Sequence, residues 1–313
     1  MMMRGRGRMS VMAEQEWLAE RFEEHRPHLR GIAYRMLGSP SEAEDALQDA
    51  WLRVSRAGAD DVENLGGWLT TIVGRVCLNM LRARANRRED PLEVRLPDPV
   101  ISPDPTIQPE DEALLADSVS LALLVVLDTL NPAERLAFVL HDMFDLPFDE
   151  IAPMVGRTPE AARQLASRAR RRVKGANVPE PDPDLVRQRE VANAFFAAAR
   201  GGDFEGLVAV LHPDALLRAD AGERGPARSG ILRGAATIAS QAISFSLPEV
   251  ALRPVLVNGL PGAVSIVNGR PFSVVAFTVV EGLIQEIDVI ADPERVARIA
   301  ADVLIEPGAP NET

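Results

Sequence analysis

The sequence is 313 residues long and 46 % apolar, with a formal net charge of −12, one cysteine and four histidines. That length exceeds one ordinary domain and the apolar share suffices for cores, so two or three domains are expected. The lone Cys77 excludes an internal disulfide and a cysteine-rich zinc site, and the scattered histidines offer no metal spacing, so no metal or other cofactor is expected. No run reaches the length of a membrane span or a signal-peptide core, and a cytoplasmic chain is expected.

Residues 1–10, with Arg4, Arg6 and Arg8 among glycines, read as an unstructured leader, Met9 and Met12 being alternative starts. Glu14 to His25 and Pro27 to Leu37 read as two helices, broken at Pro27 and closed by Gly38. Ser41 and Glu44 form a capping box for a third helix to Arg56. Its apolar stripe is Ala43, Ala46, Leu47, Ala50 and Val54, with Trp51 at the edge; the far face carries Asp45, Gln48, Asp49, Leu52 and Arg56. A leucine among acids and amides suits either ordinary surface or a partner-binding face.

A fourth helix follows Asn64, Gly66 and Gly67, with Leu69, Ile72, Val73, Val76 and Met80 inward. Outward lie Trp68, Thr71, Arg75, Leu78, Asn79 and Arg82, and Arg75 to Arg88 holds five arginines and no acid. An exposed aromatic with hydroxyl, amide and arginine neighbours suits single-stranded DNA better than a duplex groove; core packing of Trp68 is the alternative.

From Glu89 to Glu112 six prolines predict an extended linker. Glu89 to Glu150 holds fifteen acids against Arg95 and Arg135, a net of −13, which reads as a solubilising belt or as a mimic of nucleic acid. Helices are expected over Asp111 to Leu130 and from Asn131-Pro132 to Met143.

Pro147 to Lys174 reads as a helix-turn-helix. Phe148, Ile151, Ala152 and Val155 fall at helical spacing, Gly156 ends that helix, and Thr158-Pro159 starts the next. Pro153 leaves the first helix kinked or only two turns long. In the second, Ala162, Leu165, Ala166, Ala169 and Val173 form one stripe. Opposite stand Glu160, Gln164, Ser167, Arg168 and Arg171, flanked by Arg163, Arg170, Arg172 and Lys174. Ile151 to Gly175 has seven basic residues against Glu160, a net of +6, which suggests phosphate contacts.

After a second proline segment, Val178 to Asp184, two helices (Leu185 to Arg200, Asp203 to Leu211) precede five strand-like runs. These are Ala215 to Ala219, Val250 to Val257, Ala263 to Val267, Phe272 to Val280 and Leu283 to Ile290, with a last helix from Asp292 to Leu304. An α+β domain with a curved antiparallel sheet and an apolar concavity is expected. Its titratable candidates are His212, Asp214, Asp220 and Asp288, though no acid–base pair is fixed by spacing.

Taken together, these segments resemble an extracytoplasmic-function sigma factor of the group with a fused SnoaL-like C-terminal domain. AEDALQDAWLRV resembles the segment that binds the polymerase clamp, WLTTIVGRVCLNMLRARANRRE the segment that melts and reads the minus-ten element, and the helix-turn-helix the minus-35 reader. Three motifs of the group appear altered: WLPEP as Arg95, Leu96, Pro97, Asp98, Pro99; DGGGK as Asp220, Ala221, Gly222, Glu223, Arg224; NPDKL as Asp292, Pro293, Glu294, Arg295, Val296. The Asp usual in the melting helix is Asn79.

The resemblance implies a multidomain chain: two all-α sigma domains, the second with the helix-turn-helix, then an α+β SnoaL-like (NTF2-like) cone domain. The expected boundaries are 12–90 for sigma region 2, 91–112 for the linker, 113–177 for region 4, 178–184 for a second linker and 185–305 for the SnoaL-like domain. Core RNA polymerase would be bound by Asp45, Gln48, Asp49 and Leu52. Minus-ten DNA would be bound by Trp68, Thr71, Arg75, Asn79 and Arg82, and minus-35 DNA by Glu160, Arg163, Gln164, Ser167, Arg168 and Arg171. Regulatory contacts would come from Leu96, Pro97, Asp98, Pro99, Asp220, Gly222, Glu223, Arg224, Asp292, Pro293, Glu294 and Arg295. The C-terminal domain would dock within the chain in place of a separate anti-sigma protein, and the free protein would be a monomer and not an enzyme. Two other readings are a ligand-responsive helix-turn-helix repressor and a SnoaL-type cyclase or isomerase.

Overall fold

The computed structural model describes residues 11–58, 62–87, 94–103, 119–222, 229–244 and 250–301. They form two compact units, one drawn from Met1–Glu89 and Leu127–Arg172, the other from Asp90–Val126 and Val173–Thr313.

In the first unit α1 (Val11–Leu37), α2 (Pro40–Ala57) and α3 (Leu65–Arg87) enclose Leu18, Phe22, Leu29, Ile32, Leu47, Val54, Leu69 and Val73. The break expected at Pro27 does not occur, because α1 runs through it. Leu18 and Phe22 before the proline and Leu29 and Ile32 after it are all buried. That packing outweighs the roughly 3 kcal/mol an interior proline costs. The capping box at Ser41 is also replaced: Ser39 is the N-cap without a side-chain bond to the helix, and Pro40 fills the first turn. A proline there needs no donor partner and arrives with helical φ.

The chain re-enters this unit through α4 (Leu121–Asp128), whose last two residues belong to it. The expected helix from Asp111 is thus described only from Leu121; Val119 and Ser120 are irregular and 111–118 lie outside the described residues. Next come α5 (Pro132–Phe138), a π turn (Val139–Met143), α6 (Phe148–Val155) and α7 (Pro159–Gly175). Asn131 Oδ1 caps α5 by accepting from Glu134 N at 2.9 Å.

Helices α5 and α6 pack on α3. They approach closely at Gly74, where a Cβ would press on Met154, Leu136 and Leu140. Leu78, expected outward, is only 1 % exposed. It lies one helical turn along from Gly74, on a face that is apolar because another layer covers it. Arg135 ties the layers: its Nε donates to Arg35 O at 3.1 Å and its Nη1 to Asp128 Oδ1 at 3.0 Å. Burial pulls this guanidinium below its ordinary pKa, and Asp128 offsets part of the shift.

The second unit is a seven-stranded sheet in the order β1-β4-β5-β6-β7-β2-β3. Its strands are β1 (Ile101–Pro103), β2 (Leu211–Asp220), β3 (Gly230–Arg233), β4 (Ala251–Val257), β5 (Leu260–Val267), β6 (Arg270–Val280) and β7 (Leu283–Ile290). The sheet is mixed, not the antiparallel one expected, because β2 and β7 pair in parallel after a crossover through the strands between them. One face carries α8 (Leu185–Gly201), α9 (Phe204–Val210) and α10 (Ala235–Ser244). Between them lies a core of Leu207, Ile238, Ile284 and Ile287, with the rings of Phe195, Phe196 and Phe277 stacked edge to face at 5.2–5.9 Å. Helix α11 (Pro293–Ile299) ends earlier than Leu304, which lies outside the described residues.

Where they are described, both proline segments are fastened to the sheet. Ile101, Ser102 and Pro103 pair with Val257, Leu256 and Val255 as an edge strand. In Val178–Asp184, the Asp182 carboxylate accepts from Glu281 N at 2.8 Å and Gly282 N at 2.9 Å, which fastens the segment to the β6–β7 turn.

Candidate nucleic-acid interface

Gly156, at φ 67°, closes α6, and Thr158 Oγ1 accepts from Ala161 N at 3.3 Å to start α7. Ala162, Leu165, Ala166 and Ala169 are buried, so the helix is held by its apolar stripe. Glu160, Arg163, Gln164, Ser167, Arg168 and Arg171 are all exposed. Arg168 is nevertheless not a free outward side chain, as its spacing implied. Its Nε donates to Glu134 Oε1 at 2.8 Å, while Arg172 Nη1 donates to Oε2 of the same carboxylate at 3.1 Å. On the other edge Arg170 pairs with Asp142, and Arg163 Cζ sits 5.3 Å from the centroid of the Phe148 ring. Glu134 lies 34 residues before Arg168, and no local spacing in the sequence connects them.

On α3, Arg75, Asn79 and Arg82 are exposed, while Trp68 and Thr71 are half-buried. Thr71 Oγ1 donates to Gly67 O at 2.9 Å, so the hydroxyl is partly spent on the helix. The five share one side of the helix. Arg84, on the same helix, is instead taken by Glu42 and by Leu37 O. Burial pushes the Cys77 thiol up to about 12, which leaves it protonated and inert.

Asp45, Gln48, Asp49 and Leu52 form an exposed row on α2, Leu52 being 49 % exposed. A shallow groove of about 240 Å³ runs beside them between α1 and α2, lined in part by Phe22, Arg26, Leu47, Gln48 and Trp51.

In the second unit, the segment before β1 is gripped from α11 and the end of β2. Arg295 donates through Nη1 to Asp220 Oδ2 at 2.6 Å, through Nε to Asp98 Oδ1 at 2.8 Å and through Nη2 to Leu96 O at 2.6 Å. Leu96 N in turn donates to Asp220 Oδ2 at 2.9 Å, and Arg298 adds a 2.8 Å bond to Asp98. Burial opposes the charge on Arg295, but Asp98 and Asp220 more than offset it and raise its pKa. Gly222 is required beside this cluster. Its φ is 68°, and a Cβ there would overlap Oδ2 of Asp292, whose other oxygen caps α11 through Arg295 N at 2.9 Å.

Sequence reasoning missed Asn258, in the β4–β5 turn. It exchanges bonds with Val100 (Val100 N to Oδ1 at 2.7 Å, Asn258 N to Val100 O at 2.8 Å), and its Nδ2 donates to Val119 O at 3.0 Å. Asn258-Gly259 is a local turn signal, but no spacing signals its hold on residues more than a hundred positions earlier. Leu96, Pro97, Asp98 and Pro99 are buried, Pro293 and Glu294 exposed; Glu223 and Arg224 lie outside the described residues.

Asp220 and Asp288 do not face the helix-covered core. Ala215, Leu217, Ile287 and Val289 point into it, so strand alternation places Arg218, Asp220 and Asp288 on the other side. There Asp288 accepts from Arg218 at 2.6 Å, with Glu286 as the second partner. His212 and Asp214 sit at the start of β2, where Asp214 N donates to His212 Nδ1 at 3.1 Å. The space between the helices and the sheet is packed by Phe195, Phe196 and Phe277 together with aliphatic side chains such as Leu207, Ile238 and Ile284. A cleft of about 320 Å³ remains between α8 and β4–β5, and the described residues lining it, among them Arg189, Asn193, Phe196 and Arg200, include no carboxylate or imidazole.

Comparison with known proteins follows the same division. Residues 21–87 match the Sigma-70 region 2 family, and residues 120–173 match the Sigma-70, region 4 family. The chain is 32 % identical over 292 residues to the probable ECF RNA polymerase sigma factor SigI of Mycobacterium tuberculosis, covering 93 % of this chain and 99 % of that one. The ECF RNA polymerase sigma factor SigJ of the same organism is 39 % identical over 214 residues, 68 % of each chain. The crystal structure of M. tuberculosis SigJ aligns with a TM-score of 0.67 and 32 % identity, covering 88 % of this chain and 97 % of that one. With both helical segments matched and a relative aligned over almost its whole length, the chain belongs to the extracytoplasmic-function RNA polymerase sigma factors, which direct core polymerase to promoters.

Proposed function

We propose that Asp45, Gln48, Asp49 and Leu52 bind core polymerase, that Trp68, Thr71, Arg75, Asn79 and Arg82 engage the opened minus-ten strand, and that α7 reads the minus-35 duplex. The domain that follows regulates these steps from within the chain, without a separate anti-sigma protein, in a cytoplasmic monomer. Arg295 carries this reading. A residue of the last described helix closes on Leu96, Asp98 and Asp220, and so holds the segment that joins the two DNA-binding regions. A linker held at Leu96 and again at Val100 and Val119 has fewer accessible spans than a free chain of the same length. A non-catalytic role for the C-terminal domain is supported by the placement of its acids. Asp220 and Asp288 are tied to arginines outside the core, and the described residues lining the cleft hold no acid–base pair.

Run-off transcription with core polymerase tests both levels. The full chain should give a promoter-dependent product. Truncation after Asp184 should change its yield strongly, and truncation before Asp292 or the substitution Arg295→Ala should raise it. No product would remove the sigma reading, whereas equal yields at matched polymerase saturation would remove the regulation alone.

A further inference from the structure

The arginines of α7 are not equivalent, and their anchoring sorts them by task. At about 100° per residue, Glu160, Gln164, Ser167 and Arg171 lie within one central strip about 60° wide. Arg168 and Arg172 stand on one side of that strip, both held by the buried Glu134. Arg163 and Arg170 stand on the other, the first over the Phe148 ring and the second on Asp142. Each edge therefore carries two cations fixed by groups outside the helix, while the central strip carries polar side chains with no such anchor among the described contacts.

We propose that the two edges are phosphate grips, one for each DNA strand bordering the groove, and that only the central strip reads bases. The proposal rests on the minus-35 reading of α7 and divides its residues. A guanidinium offers five N–H donors. Arg168 gives Nε–H to Glu134 and Arg172 gives one Nη1 bond, so each keeps donors for a phosphate oxygen. Arg168 and Arg172 remain 46 % and 54 % exposed, while Glu134 is 4 % exposed. The buried carboxylate thus orders two long side chains before DNA arrives and reduces the entropy lost on binding. It also restricts the reach of both side chains into the groove, where a base reader needs freedom to meet a donor or acceptor edge. Phosphate contacts on both borders would set the register of the helix, and the central residues would then meet base edges at fixed height.

Holoenzyme assembled from core polymerase and this protein is titrated with promoter DNA carrying single methylphosphonates across the minus-35 element. Wild type should lose about tenfold affinity at particular positions on each strand. Glu134→Gln should abolish that sensitivity on one strand only, and Asp142→Asn on the other, with base-pair preference unchanged in both. The double substitution Arg168→Ala, Arg172→Ala alters half-exposed side chains and should repeat the Glu134→Gln pattern, which covers the case in which the buried substitution fails to fold. An unchanged footprint in that double variant, loss on both strands at once, or a shifted base preference would overturn the proposal. Run-off product from the wild type under the same conditions shows that the sigma reading stands even where the grips do not.

Discussion

Both units hold arginines on buried carboxylates, yet the two arrangements differ in what they leave exposed. Arg295 has a side-chain exposure of 15 %, and its forks are consumed by Asp98, Asp220 and Leu96 O. Arg168 and Arg172 each give one N–H group to Glu134 and keep about half their surface in water. The chemistry is the same, but one site is closed on the chain itself and the other is open to an outside anion. Donor saturation, more than the presence of a salt bridge, separates a latch from a grip.

The largest expected effect breaks the closed site. Arg295→Ala leaves Asp220 buried without its cation and Asp98 with Arg298 alone, and should destabilise the second unit by about 3–5 kcal/mol, read as a shifted urea midpoint and as new protease cleavage between Val94 and Pro103. Gly222→Ala attacks the same latch through the backbone. It forces a side chain into the left-handed region and displaces the Asp292 cap, for a loss of about 3 kcal/mol; an unchanged midpoint would show that the cap does not depend on Gly222. Arg168→Ala should cost only about 1 kcal/mol, because Arg172 still serves Glu134 and the lost side chain is half in water. A loss as large as that of Arg295→Ala would erase the distinction between latch and grip. Leu52→Arg, on an exposed surface with no buried partner, should change stability by less than about 0.5 kcal/mol while reducing co-purification with core polymerase, and so marks the zero of the scale.

Much of the helical region was readable. Amphipathic spacing located the buried stripes of α2 and α7, and Gly156 with Thr158-Pro159 located the turn between α6 and α7. Where the reading failed, a distant partner had intervened. Leu78 is buried because α5 and α6 approach α3 at Gly74, and Pro27 is tolerated inside α1 because core residues flank it on both sides. In the sheet, the four-residue β3 and the small-residue helix α10 were missed, as was β1, whose three residues are strand only through pairing with β4.

By itself, then, the sequence determined the local elements with a strong period or a turn signal, the basic character of α7, and the motifs that identify the family. Those are properties of neighbours within about four residues, where side-chain spacing and backbone preference act directly. Only the tertiary structure decided that Asp220 meets Arg295 and Leu96, that Asn258 spans Val100 and Val119, and that Glu134 holds two arginines of α7. Such pairs are separated by tens to hundreds of positions. Their geometry depends on how packed layers bring carboxylates out of water beside the cations that compensate them, which no local pattern of residues encodes.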